Sequence, residues 1–189
     1  MKRSEINALY EAAKACFEAH GWALPPNPRW DITDFSLGDF KTNGLVLVNL
    51  ADEKEYCEKL MYCQKGMDTP IHCHAKKKED IICRWGELRI QLWETVPSES
   101  EGRRFNIQIN NEMREVANGE EIVLKAGERI TLTPGVYHRF TANTPEVIIG
   151  EVSTANDDVN DNFFVDERIG RYAPIVEDEP AKVRLISEN

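Results

Sequence analysis

From Gly44 onward the chain breaks into short apolar runs separated by turn-forming residues. The runs are Leu45–Leu50, Lys59–Gln64, Ile71–His74, Ile81–Arg84, Glu87–Glu94, Arg104–Asn110, Glu121–Leu124, Arg129–Thr133, His138–Thr141 and Val147–Val152. In Glu87–Glu94, Leu88, Ile90 and Leu92 oppose Arg89 and Gln91, which is the period of two of a half-buried strand. Strands this short, spaced by roughly 8–12 residues with Gly, Asn or Pro between them, predict an all-β antiparallel sandwich or barrel. No run approaches the ~20 apolar residues of a bilayer-spanning helix.

The flanks follow different rules. Ile6, Leu9, Tyr10, Ala13, Cys16 and Phe17 recur at helical spacing, with Ser4 as N-cap and Gly21 as the stop. His20 falls in the last turn, where an imidazole favours the negative end of the helix dipole. Three prolines within Leu24–Pro28 make an extended linker. The expected organisation is one domain over residues 1–189: helix and linker in 1–43, barrel in 44–155, and a C-terminal segment in 156–189. That last segment is polar and acidic, but Phe163, Phe164, Tyr172, Ile175 and Val176 predict docking on the barrel. Glu177–Glu179 read as plain surface charge.

The chain has 33 acidic and 23 basic side chains, a net charge of −10, which argues against a nucleic-acid partner. Its five cysteines (Cys16, Cys57, Cys63, Cys73 and Cys83) include no C-x-x-C pair. The N-terminal stretch turns charged and amphipathic at once, unlike a signal peptide. Free thiols in such a chain predict a reducing compartment, and hence the cytoplasm.

Three of the four histidines fall into one pattern. Gly66 is followed after five residues by His72, then His74, then after four more residues Glu79, and after six more Gly86. Histidines at i and i+2 on a strand share a face, so Cys73 turns away and Glu79 can return to the same mouth on the next strand. In the later stretch, Gly127, Gly135 and His138 supply a third imidazole after a tight turn. Three neutral imidazoles and one carboxylate suit a borderline divalent ion, and leave two positions of an octahedral ion open for substrate.

These stretches resemble the two motifs of the cupin superfamily, the first at every fixed position. In the second, Thr133 stands where the family has proline and Ala142 where it has asparagine. The resemblance implies a double-stranded β-helix, or jelly-roll barrel, with an N-terminal helix, a docked C-terminal segment and a metal inside.

Between His74 and Glu79 stand Lys76, Lys77 and Lys78. One of them is expected to face the site, where a nearby cation would lower its pKa. The tail carries Glu167, Gly170, Arg171 and Tyr172 in an E-x-x-G-R-aromatic pattern. Together these features are similar to the D-lyxose isomerase family of the cupin superfamily, from about Gly44 to Pro180. The similarity implies that His72, His74, Glu79 and His138 bind one divalent ion of manganese type, with iron, zinc, cobalt and nickel as alternatives. It also implies Glu167 as base, Lys77 as its acidic partner, and interconversion of D-lyxose with D-xylulose and of D-mannose with D-fructose. Lys59, on the strand before the motif, is a candidate substrate-binding residue, against the alternative of an outward-facing lysine. The expected partners are a neutral sugar and a second copy of the chain in a homodimer. An iron(II) cupin dioxygenase built on the same four donors, and a non-catalytic sugar-binding cupin, are the competing readings.

Overall fold

The computed structural model describes residues 1–154, 156–157, 160–170 and 172–188. Helix α1 spans Arg3–Ala19, followed by strands β1 (Arg29–Thr33), β2 (Leu45–Asp52), β3 (Tyr56–Gln64) and β4 (His72–Cys73). Next come β5 (Glu79–Trp85), β6 (Glu87–Trp93), β7 (Arg104–Ile109), β8 (Glu112–Ala117) and β9 (Glu121–Lys125). Strands β10 (Arg129–Leu132), β11 (Tyr137–Ala142), β12 (Glu146–Thr154) and β13 (Phe163–Phe164) complete the order.

Among the described residues the strands form two antiparallel sheets. The larger runs β1-β2-β3-β12-β5-β10-β7-β8, the smaller β13-β4-β11-β6-β9. Neighbours distant in sequence are adjacent in space, as in a jelly roll, and the sheets face each other as a cupin barrel. The inward rows follow from the two-residue period: Met61 and Cys63 of β3, Ile81 and Cys83 of β5, Leu88, Ile90 and Leu92 of β6, and Val147 and Ile149 of β12 form one core. Gly86 makes the sharp β5–β6 connection at φ +78°, where a Cβ would sit 2.6 Å from Thr144 Oγ1 and 2.7 Å from the Glu146 carbonyl.

The outer face of the larger sheet is buried as well. Val46, Val48, Leu60, Tyr62 and Ile148 meet Ile6, Leu9, Ala13, Cys16 and Phe17 of α1 in a second core. Two strands depart from the sequence expectation. β1 carries a charged residue at two of its five positions, and β8 is exposed at its first four, so neither shows an alternating apolar signal. Helix α1 starts two residues earlier than a Ser4 cap requires, with Lys2 as N-cap. His20 is the C-cap and stacks on Trp85, centroids 3.8 Å apart.

Ser4 is occupied otherwise. Its backbone N–H and Oγ both donate to the Asp178 carboxylate, at 2.9 and 2.6 Å. Arg3, 1% exposed, is held by Glu177 and Glu188, each at 2.6 Å, and Asn7 donates to Glu179 at 2.6 Å. Glu177–Glu179 are therefore not plain surface charge: they cap and pair the first turn of α1, where the helix dipole favours anions. The aromatic anchors are also corrected. Phe163, Tyr172 and Val176 are exposed, whereas Phe164 and Ile175 are half-buried as expected of anchors; among the described residues Ala173 and Leu185 are the buried apolar residues of the tail. All five cysteines are buried free thiols. No helix of the described residues is long and apolar enough to cross a membrane.

Candidate metal centre

A strand pairing and a loop hydrogen bond bring the histidines together. β4 pairs with β11 so that His72 lies opposite His138, and the Gly135 N–H bonds the His74 carbonyl at 2.7 Å, pinning the second motif to the first. One ring nitrogen from each of His72, His74 and His138 lies within 4.8 Å of the others. The Nδ1 atoms face backbone carbonyls: Pro70 at 2.8 Å, Asp161 at 2.6 Å and Val136 at 3.2 Å. Each Nδ1 therefore carries the hydrogen, and each Nε2 keeps its lone pair for the site.

Glu79, at the start of β5, reaches the same point. Its Oε1 stands 3.2 Å from His138 Nε2 and 3.5 Å from His74 Nε2, buried and without a hydrogen-bond donor. Three lone pairs and a carboxylate oxygen without a donor converge on one point, an arrangement that a cation would stabilise. The residues fit a divalent metal ion. Burial first, then the neighbouring His138 and His74, hold the His72 imidazole well below its ordinary pKa, so it is neutral and ready to ligate.

Lys77 is the buried member of the lysine run; Lys76 and Lys78 are exposed. Its Nζ lies 2.8 Å from Glu79 Oε2 and 3.0 Å from Glu151 Oε1. Burial disfavours the ammonium, but Glu151 and Glu79 outweigh that and raise its pKa above the ordinary lysine range. The same attraction works on the acids. Glu79 is held well below the usual carboxylate range by Lys77 against the cost of burial, and Glu151 is lowered by Lys59 and Lys77 against that cost.

A cavity of about 100 Å³ opens beside these groups. Lys59, Glu79 and Glu151 line it from the larger sheet, His72 and His138 from the smaller, His74 and Lys77 from the β4–β5 connection, and Asn162, Phe164 and Gly170 from the tail. Lys59 faces inward, 3.3 Å from Glu151 Oε1, its direct neighbour across the β3–β12 ladder.

Glu167 is not brought to the cavity. It is exposed in the loop after β13 and absent from the described residues lining the space, and a base must come within hydrogen-bond reach of the proton it takes. Arg171, from the same tail pattern, lies outside the described residues. The sequence reading missed two carboxylates. Glu151 shares the inward parity of Val147 and Ile149, and a charge in that row was the available signal. Asp161 carries no local signal, because its partners lie 84–87 residues away.

Comparison with known proteins places these residues in context. The sequence profile of the family described as D-lyxose isomerase matches residues 27–189. The chain is 34% identical to the D-lyxose/D-mannose isomerase of Escherichia coli O157:H7, with 100% of this chain and 98% of that relative covered. It is 31% identical to the D-lyxose ketol-isomerase of Thermofilum sp. (strain ex4484_79), with 93% and 97% covered. In fold it matches the L-ribose isomerase of Acinetobacter sp. DL28 with a TM-score of 0.69 at 16% identity, covering 93% of this chain and 98% of that one.

Proposed function

Because the chain belongs to the D-lyxose isomerase family, we propose that it interconverts D-lyxose with D-xylulose, and D-mannose with D-fructose, in the cavity beside His72, His74, His138 and Glu79. The observation that carries the mechanism is the buried relay Glu79–Lys77–Glu151 along one wall of that cavity.

Aldose–ketose isomerisation moves one proton between C1 and C2 and another between O1 and O2. His72, His74, His138 and Glu79 would hold a divalent ion, with manganese the first to test, and that ion would supply Lewis acidity toward the sugar carbonyl. We assign Glu151 as the base that takes the proton from one carbon and returns it to the next. Lys59 and Lys77 keep Glu151 ionised, so it is free to accept a proton at neutral pH. The same pairing lowers its basicity, so the step depends on the neighbouring carbonyl to acidify the C–H. Lys77, charged and buried, stabilises the oxyanion that develops and carries the oxygen-bound proton. Lys59 serves both to hold Glu151 and to bind a sugar hydroxyl. The chain's five buried free thiols support a cytoplasmic location, and the outer edge of β8, which ends its sheet among the described residues, supports pairing with a second copy in a homodimer.

Glu151→Gln tests the assignment. In Mn²⁺-loaded protein given D-lyxose, ketose formation is expected to fall by about 10²–10⁴ with bound metal unchanged. Glu167→Gln is expected to stay within about twofold of the parent, since an exposed loop carboxylate has no part in a general-base step of this size. The reverse ranking of the two variants would return the base to the tail.

A further inference from the structure

One tail residue reaches both the histidine cluster and the lysine beside it. Asp161 is 3% exposed, and its side chain fills the turn between β4 and β5. Its Oδ1 accepts the backbone N–H groups of Ala75 and Lys76 at 2.9 and 3.0 Å, and its Oδ2 accepts that of Lys77 at 2.9 Å. Successive amides aimed at one point form an anion-binding nest, and here the chain supplies the anion itself. The backbone carbonyl of the same residue accepts the Nδ1 hydrogen of His74 at 2.6 Å.

The residues that follow continue toward the cavity. Asn162 and Phe164 line it. Phe164 stands opposite His72 in the β13–β4 ladder, with its ring 5.3 Å from the imidazole. The Val165 N–H then bonds the Ile71 carbonyl at 3.0 Å. One short segment thus touches two of the three histidines and the backbone of Lys77.

We propose that Asp161 is a positioning residue that makes docking of the C-terminal segment and binding of a divalent ion one linked equilibrium. The inference rests on the metal reading of the three histidines and is independent of which sugar is used. With Asp161 docked, the His74 hydrogen is fixed on Nδ1 and its Nε2 lone pair points at its neighbours. The Lys77 backbone is fixed too, so Nζ spans Glu79 and Glu151. Undocked, the His74 ring has lost its acceptor and is free to turn or change tautomer, and Asn162 and Phe164 leave the cavity wall. Linkage requires that an ion favouring the docked form is favoured by docking to the same degree.

The test uses the whole protein and Mn²⁺ alone, without sugar, so its outcome is separate from that of the isomerase reading. Hydrogen exchange read by mass spectrometry is expected to slow across Asp161–Val165 when Mn²⁺ is added. Asp161→Asn sets an NH₂ group against backbone N–H donors. It is expected to weaken Mn²⁺ binding about 10–100-fold by calorimetry, the range seen when the partner of a ligating histidine is lost. Its Asp161–Val165 exchange should be faster without Mn²⁺ and slow again at saturation. Parental Mn²⁺ affinity in the folded variant would overturn the proposal, even with a lowered thermal midpoint, because that pattern marks a merely structural residue. If the variant does not fold, the parent protein decides alone: exchange of Asp161–Val165 unchanged by Mn²⁺ overturns it.

Discussion

The two oxygens of the Glu79 carboxylate face different chemistry. Oε2 accepts from the Lys77 ammonium at 2.8 Å, while Oε1 faces imidazole lone pairs and has no donor. That division ties the proton-handling wall of the cavity to its metal-holding wall through a single side chain. His138→Ala removes one of the converging nitrogens and leaves Glu79 Oε1 without a cation to justify its burial. Metal content by mass spectrometry and ketose formation are expected to be lost together; full metal content in that variant would remove His138 from the ligand set. The meeting of His72, His74, His138 and Glu79 was legible in the sequence, through their i, i+2 spacing, the short return to Glu79 and the turn at Gly135 before His138. Lys77 was legible only through the family likeness, since nothing local distinguishes it from Lys76 and Lys78. Glu151 and Asp161 were missed because burial and long-range pairing define them, and neither is written in neighbouring residues.

At the scale of elements, the fold depends on how α1 and the tail hold each other. The pairing of Arg3 with Glu177 and Glu188 lowers both carboxyl groups below their ordinary value of 4.5. A depressed folded-state value means that the contribution is complete above about pH 4.5 and is lost as pH falls through the folded values. Between pH 7 and pH 3 the parent protein is therefore expected to lose more stability to urea than Arg3→Met, which lacks the pairing. Equal losses would show that the clasp contributes nothing. The β5–β6 connection gives a second expectation. Gly86→Ala meets both a left-handed backbone and two oxygen contacts, and should destabilise the fold by about 1–3 kcal/mol in thermal or urea unfolding. A neutral effect would mean that this turn relaxes freely. The strands with alternating apolar rows were readable in advance. The clasp was not, because an acidic run looks the same whether water or a helix N-terminus receives it.

At the scale of the whole molecule, two cores share one sheet. Its inner face closes the barrel around the cavity, and its outer face is sealed by α1, with Leu185 of the tail packed against the same layer. The tail also forms part of the cavity wall, so the elements that complete the fold complete the site. A net charge of −10 neither attracts nor repels a neutral sugar, and selection is left to the short-range groups inside the barrel. Metal dependence of the sugar reaction is the claim on which the rest stands. The direct measurement is ketose formation from D-lyxose by protein stripped with a chelator, before and after Mn²⁺ is restored. Activity that disappears on stripping and returns with the ion is the predicted result. Turnover that persists undiminished in fully metal-free protein would contradict the account.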